Sequence, residues 1–273
     1  MLQMARYQSA LQKLGLASVD AARRFEGKLV ENHKGKRDIL IVPEHRSGLP
    51  EMLFVKRIWK SNRQDGIKSV LRHGRVWSQA RIEYENALTL LANGINVAAP
   101  VAFGEECGLF WEKFSFIVTA AAPGEGTVAE FAARTKDRAT RRRVFQALAK
   151  FIERMHQAGL ATPDLFARHI FVEDGSKPAF CLIDMARLDR KRNLGDRMRA
   201  RDLAALNVSL PLRDVSMAER LRFLSDYGGG PTLRRLIERR SRYLLKRKKF
   251  ADFARVLTEP LPSTPEGTTQ AQG

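Results

Sequence analysis

Residues Gly159–Asp189, "GLATPDLFARHIFVEDGSKPAFCLIDMARLD", constrain the fold more than any other stretch. His169–Glu173 alternates weakly, Ala179–Asp184 is apolar, and "DGSKP" between them is strong turn chemistry, so an antiparallel hairpin is predicted. A hairpin returns its ends to each other. Asp164, just before the first strand, and Asp184, at the end of the second, are therefore expected at one mouth. Carboxylates so placed can divide labour: one orients a hydroxyl and takes its proton, while the other stays ionised and holds a divalent metal. A turn aspartate and a cap aspartate would satisfy the same pattern, so the pair needs support from elsewhere in the chain.

The residues ahead of this stretch read as strands around one helix. Ile39–Val42 and Met52–Ile58 are two β-type runs separated by Pro, Gly and Ser, an antiparallel pair. Ala80, Tyr84, Ala87, Leu88 and Leu91 share one helical face, and Asn93-Gly94 stops that helix. "VAAPVAFG" and "WEKFSFIVTA" supply two more short strands. "AAPGEGTV" (Ala121–Val128) is a small-residue hinge, beyond which the pattern turns helical. The helical stretches are "TVAEFAARTKD", "RATRRRVFQALAKFIERMHQAG", "RARDLAALNVSL", "MAERLRFLSDY" and a last one from Thr232. An α+β chain of two lobes follows: a strand-rich N-lobe over 1–120, a mostly helical C-lobe over 121–258, and a cleft between them. The Pro/Thr/Gly-rich end, 259–273, reads as a disordered tail. Met4, Tyr7, Leu11 and Leu14 predict an amphipathic helix at the start, packed on the domain.

Lys56 stands in the middle of the apolar run "MLFVKRIW". A lysine there must reach solvent or be held by an anion, because burying it unpaired is costly. The following helix offers Glu83 and Glu85 on its polar flank. "RMHQAG" closes a helix just ahead of Asp164, so that aspartate lies on a loop anchored at both ends. Strand lysine, helix glutamate, loop aspartate, strand-end aspartate: a protein-kinase-like phosphotransferase lays out its site in this order.

On these residues the chain resembles the kinase-fold lipopolysaccharide-core kinases, the Kdo/WaaP group, over roughly Gly27 to Asp202. "FVKR" is similar to the nucleotide-lysine strand and "EYENALTLLANGINVAAPVAFGEE" to the glutamate helix and the strand after it. "PDLFARHIFV" is similar to the catalytic loop, "LIDMARLD" to the metal-aspartate segment, and "RMRARDLAALNVSL" to the arginine-aspartate helix. The resemblance implies a protein-kinase-like fold with ATP and Mg2+ as cofactors. It implies that Lys56 grips the α- and β-phosphates and that Glu83, which has the family's spacing before Gly94, holds Lys56. Asp164 would act on the acceptor hydroxyl and Asp184 would bind magnesium. His169 would either ligate metal or substrate, or brace the loop. Gly27 and Gly35 mark the phosphate-covering loop only thinly, within "EGKLVENHKGKRD". Thr162-Pro163 replace the His-Arg that protein kinases carry before this aspartate, so control by a phosphorylated activation loop is not expected. Met185-Ala186 replace their Phe-Gly, closer to the sugar-kinase relatives.

Charge narrows the partner. The chain has 48 Lys+Arg against 30 Asp+Glu, a net +18, which favours nucleic acid, phospholipid headgroups or a phosphorylated substrate. Nucleic acid is not expected, since the basic residues form no recognition motif. Arg187–Arg201 carries seven basic residues against two acidic, beside the acceptor site of a kinase-like cleft. Arg187, Arg190, Lys191 and Arg192 are the candidates for holding an anionic, lipid-linked sugar of the lipopolysaccharide core, Kdo or heptose. Arg234–Lys249 carries nine basic residues against one acidic. It reads as a peripheral contact on the cytoplasmic face of the inner membrane or as the solvated face of a docked helix. No apolar run approaches the roughly 18 residues that span a bilayer, and polar residues interrupt any signal-peptide core at the start. Cys107 and Cys181 fit neither metal-ligand spacing nor a disulfide framework and read as buried apolar residues of a cytoplasmic protein. The expectation is an ATP- and Mg2+-dependent kinase acting on a sugar hydroxyl. A protein Ser/Thr or small-molecule acceptor and an inactive pseudokinase scaffold compete with it. The oligomeric state is not legible.

Overall fold

Alternation along the central strands sets the layers of the first half. The computed structural model describes residues 2–33, 35–42, 49, 52–59, 61, 67, 69–71 and 73–247, so the predicted tail at 259–273 lies outside the described residues. Strands β1 (Leu2–Gln3), β2 (Lys28–Asn32), β3 (Arg37–Val42), β4 (Leu53–Ile58), β5 (Pro100–Cys107) and β6 (Glu112–Ala120) form one sheet. Its order is β1-β5-β6-β4-β3-β2, antiparallel at every pairing. Because successive side chains point to opposite faces, Leu40, Val42, Leu53 and Val55 bury on one side, against Tyr7, Leu11, Leu16 and Phe116. Ile39, Phe54 and Lys56 face the other side and line a cleft. Helices α1 (Gln8–Lys13) and α2 (Val19–Arg24) cover the first side.

Helix α3 (Gln79–Ala92) crosses the cleft side. Ser78 caps its start by accepting a hydrogen bond from the Arg81 amide, and Gly94, at φ 71°, turns the chain out of it. Its first turns put Ala80 and Tyr84 against Ile58, Phe103 and Ile117 of the sheet. Its later residues Ala87 and Leu90 join the core of the second half instead. One helix therefore belongs to both cores.

The second half holds α4 (Val128–Arg134), α5 (Arg138–Gln157), α6 (Asp196–Val208), α7 (Met217–Asp226) and α8 (Pro231–Leu245). Two small pairs accompany them: β7 (Leu160–Ala161) with β10 (Asp189–Arg190), and β8 (Ile170–Glu173) with β9 (Ala179–Leu182). The β8–β9 pair is the predicted hairpin. Gly159 enters β7 at φ +76°, and a Cβ there would lie 2.0 Å from the Lys191 carbonyl oxygen, so only glycine fits. Backbone bonds stitch the two halves together. Ala98 N–H donates to Leu182 O at 2.8 Å and Leu182 N–H to Asn96 O at 3.0 Å.

Three expectations change. The N-terminal helix begins later, because Leu2–Gln3 first adds a strand to β5 and Ala5–Tyr7 forms a 3-10 turn; Tyr7 and Leu11 still pack on the domain. The stretch expected only to cover phosphates contains the strand β2, paired with β3. The strand expected from Val97 starts at Pro100, since residues 96–98 bond to β9 instead. Both cysteines are free, and burial pushes each thiol up to about 12.

Candidate active site

The cleft between the sheet and the β8–β9 hairpin has a volume of about 370 Å³. Lys56 reaches into it from β4, Glu83 from α3 and Asp184 from just beyond β9. The Lys56 Nζ lies 2.8 Å from both Glu83 oxygens and 2.7 Å from Asp184 Oδ1. Lys56 and Glu83 side chains are only 13% and 9% exposed, so the pair is desolvated and either charge left alone would be strongly destabilising. Burial works against the Lys56 ammonium, but Glu83 and then Asp184 outweigh it and raise its pKa. Burial likewise pushes the Asp184 carboxyl up. The Lys56 charge and hydrogen bond, with help from His169 and Arg37, overcome that and hold it at about 2. Asp184 has φ 57°, a left-handed value found at no other described residue except glycines. Aspartate tolerates this region better than most side chains, and such strain gathers where geometry is functional. Its Oδ2 has no protein partner among the described residues.

Asp164 stands on the loop between β7 and β8. Arg187 grips its carboxylate with two hydrogen bonds, from Nε to Oδ2 at 2.5 Å and from Nη2 to Oδ1. The loop is itself held. His169 Nδ1–H donates to the Asp164 carbonyl at 3.0 Å, and His169 Nε2 accepts from Arg168 Nε at 3.2 Å. Both ring nitrogens are thus engaged, and burial lowers the imidazole pKa. The same side chain also lines the cleft that holds Asp184. Behind the loop, Asp202 of α6 is fully buried and accepts from the Thr162 amide at 2.6 Å and Arg201 Nε at 2.8 Å. His156 Nε2 lies 3.3 Å from the same carboxylate, with its Nδ1 2.7 Å from the Tyr227 hydroxyl. Asn86, one helical turn after Glu83 on α3, donates to the Met185 carbonyl at 2.9 Å and accepts from Arg190 Nη2 at 3.1 Å. It ties the glutamate helix to the segment that carries Asp184.

The sequence profile of the Lipopolysaccharide kinase (Kdo/WaaP) family matches residues 20–227, well over half of the chain. The chain belongs to that family. It is accordingly a phosphotransferase. A solved structure of WaaP in complex with acyl carrier protein is 23% identical, covering 88% of this chain and 92% of that one at a TM-score of 0.61, a likeness that establishes the kinase fold. The granulovirus kinase PK-1 of Cydia pomonella is 13% identical, over 60% of this chain and 53% of its own, at a TM-score of 0.38. The bifunctional kinase-methyltransferase WbdD is also 13% identical, over 76% and 47%, at 0.43. Neither of these two is close enough to argue from. Among curated protein sequences there is no significant match.

In this lipopolysaccharide-kinase family member, the remaining predicted site residues fall into separate places. Arg187 and Arg190 line a second cavity of about 520 Å³, with Pro163, Trp77, Glu85 and Asn86. Lys191 and Arg192 are exposed and do not line it; the Lys191 amide bonds to the Gly159 carbonyl. Gly35 lies in the β2–β3 turn, its amide bonded to Asn32 Oδ1. Gly27 is wedged against Phe25, Leu40 and Ile41 and does not line the cleft, whereas Val30 and Glu31 of β2 do. Asn86 carried no assignment from sequence, and Asp202 only its place in the arginine-aspartate helix. Each is a polar residue on an otherwise buried helix face, and that was the available sign.

Proposed function

We propose that this kinase uses ATP and Mg2+ to phosphorylate a sugar hydroxyl of the lipopolysaccharide core, Kdo or heptose, at the cytoplasmic face of the inner membrane. The observation that carries the reading is the meeting of Lys56, Glu83 and Asp184 in one cleft, with Asp164 on the adjoining loop. Lys56, fixed by Glu83, presents its ammonium to the α- and β-phosphates, and Gly35 holds the turn of the strand pair that covers them. Among the described residues no group of three or more His, Cys, Asp and Glu gathers. Magnesium commonly takes one or two carboxylates and completes its shell with phosphate oxygens and water, so the ionised Asp184 with its open Oδ2 fits. The metal, when bound, neutralises charge on the transferring phosphoryl group.

Asp164 takes the proton of the acceptor hydroxyl. It must first be released by Arg187. A phosphate or carboxylate of the acceptor, entering the second cavity, competes for that guanidinium and frees the Asp164 carboxylate as the hydroxyl arrives. Arg190 lines the same cavity, with Lys191 and Arg192 adding positive charge outside it. The test is transfer from radiolabelled ATP to core oligosaccharide. No transfer by the wild type, or transfer undiminished in Asp184→Ala, would remove the proposal. Transfer to a protein Ser/Thr or a small hydroxyl compound would replace the acceptor, and failure to bind Mg-ATP in a thermal-shift titration would favour a pseudokinase scaffold. The solved WaaP complex contains acyl carrier protein; a like partner for this chain is proposed and is checked by co-purification.

A further inference from the structure

Single apolar side chains on a surface are ordinary, but several together mark a contact. At the tip of the β5–β6 hairpin, Leu109, Phe110 and Trp111 follow one another and are 84%, 57% and 43% exposed. The tip is built, since the Gly108 amide donates to the Trp111 carbonyl at 2.8 Å. A second apolar pair stands on the segment leading into α3, where Ile67 and Leu71, four residues apart, are 52% and 83% exposed. The same end of α3 holds both segments. Trp77 N–H donates to Ser69 Oγ at 2.7 Å, and the next two amides, Ser78 and Gln79, donate to Glu105 and Glu112 at the base of the hairpin.

Charge along the sequence bears on the partner. Residues 60–75, the stretch that includes Ile67 and Leu71, contain five basic residues and one acidic. The acids at the hairpin base are already matched: Glu105 by Arg81, Glu106 by Arg23 and Lys113, and Glu112 by the Gln79 amide and the Ser115 hydroxyl. Large apolar groups including Phe and Trp, on an edge whose second segment is rich in basic residues by sequence, suit the interface of an anionic bilayer. Helix α8 is the other basic candidate. Its apolar residues Leu233, Ile237 and Leu244 are buried in the core, and Arg240 and Arg247 lie over the Tyr243 ring. It offers charge and almost no surface that could enter a bilayer.

We propose that Leu109, Phe110 and Trp111, with Ile67 and Leu71, form the part of this kinase that enters the headgroup layer of an anionic membrane. The inference rests on the proposed lipid-linked acceptor. It adds a geometric reason for it: His73 and Trp77, from the same end of α3, line the second cavity where Arg187 and Arg190 wait. Docking by this edge sets the mouth for the acceptor against the surface in which the acceptor is anchored.

The experiment is co-sedimentation with phosphatidylcholine vesicles with and without phosphatidylglycerol, read alongside quenching of tryptophan by brominated lipid. The wild type is expected to bind the anionic vesicles, and the variant Leu109→Ser, Phe110→Ser, Trp111→Ser to partition roughly tenfold less or weaker. Trp111→Phe keeps the apolar group, so it should still bind while losing most of the quenching. The triple variant should transfer phosphate to water-soluble core oligosaccharide as the wild type does, which also shows that it is folded. The proposal falls if the wild type does not bind, if the triple variant binds equally, or if binding is lost only in Arg235→Ala, Arg239→Ala, Arg242→Ala of α8. A wild type that binds vesicles through the tip yet phosphorylates no core oligosaccharide would overturn the acceptor reading and leave the membrane edge standing.

Discussion

At the scale of single residues, charge placed against pattern is what made the site readable. Lys56 interrupts an apolar strand, and Asp184 stands two residues past the end of one; each is a charge set against an apolar run, so each calls for a partner. The structure supplies Glu83 to one and Lys56 to the other. Asp164→Asn is expected to lower kcat by about 10²–10⁴ with little change in the KM for ATP, because a general base acts on the acceptor and not on the nucleotide; initial rates against both substrates check it. Asp184 makes a second prediction. Its carboxyl lies at about 2 rather than its ordinary 3.8. A depressed carboxylate favours the folded state above its unfolded pKa, and that favour drains away as pH falls from about 4 towards 2. Asp184→Asn should therefore flatten the decline of Tm with pH across that window, as read by calorimetry or circular dichroism. Asn86, and the partners of Asp202, escaped the sequence because a buried amide or carboxylate on a helix face declares its partner only after the fold has brought Met185 or Thr162 to it.

At the scale of elements, α3 and the loop behind Asp164 carry the geometry. Asn86→Ala leaves the Met185 carbonyl without its donor in a buried place and loosens Arg190. A loss of roughly 1–3 kcal/mol in unfolding free energy is expected, with kcat falling more than nucleotide affinity; urea denaturation and steady-state kinetics separate the two. Asp202→Ala strips Thr162, His156 and Arg201 of one shared acceptor, and a cost of about 3–5 kcal/mol is expected from the same denaturation measurement. Helix α3, the hairpin β8–β9 and helices α4 to α8 were legible because each shows a period or a turn signature. Strand β2 was not. All five of its residues are exposed, so no apolar alternation marks it, and only pairing with β3 makes it a strand. The two-residue strands β7 and β10 are likewise too short to leave a pattern.

At the scale of the whole molecule, the +18 charge has two consequences that salt separates. The exposed arginines of the acceptor side are screened within a Debye length, whereas Lys56 and Glu83 are shielded by burial. Raising salt from about 0.05 to about 0.5 M should increase the KM for an anionic acceptor several-fold and change the KM for ATP much less. The two-lobed plan was readable from the switch between periods, but the join was not, because residues 96–98 resemble the start of a strand. They bond both backbone groups of Leu182 instead, so the sheet and the β8–β9 hairpin are joined through main-chain atoms. Exchanging the side chains that line the cleft therefore leaves that join in place, and such variants report on chemistry without parting the cleft walls.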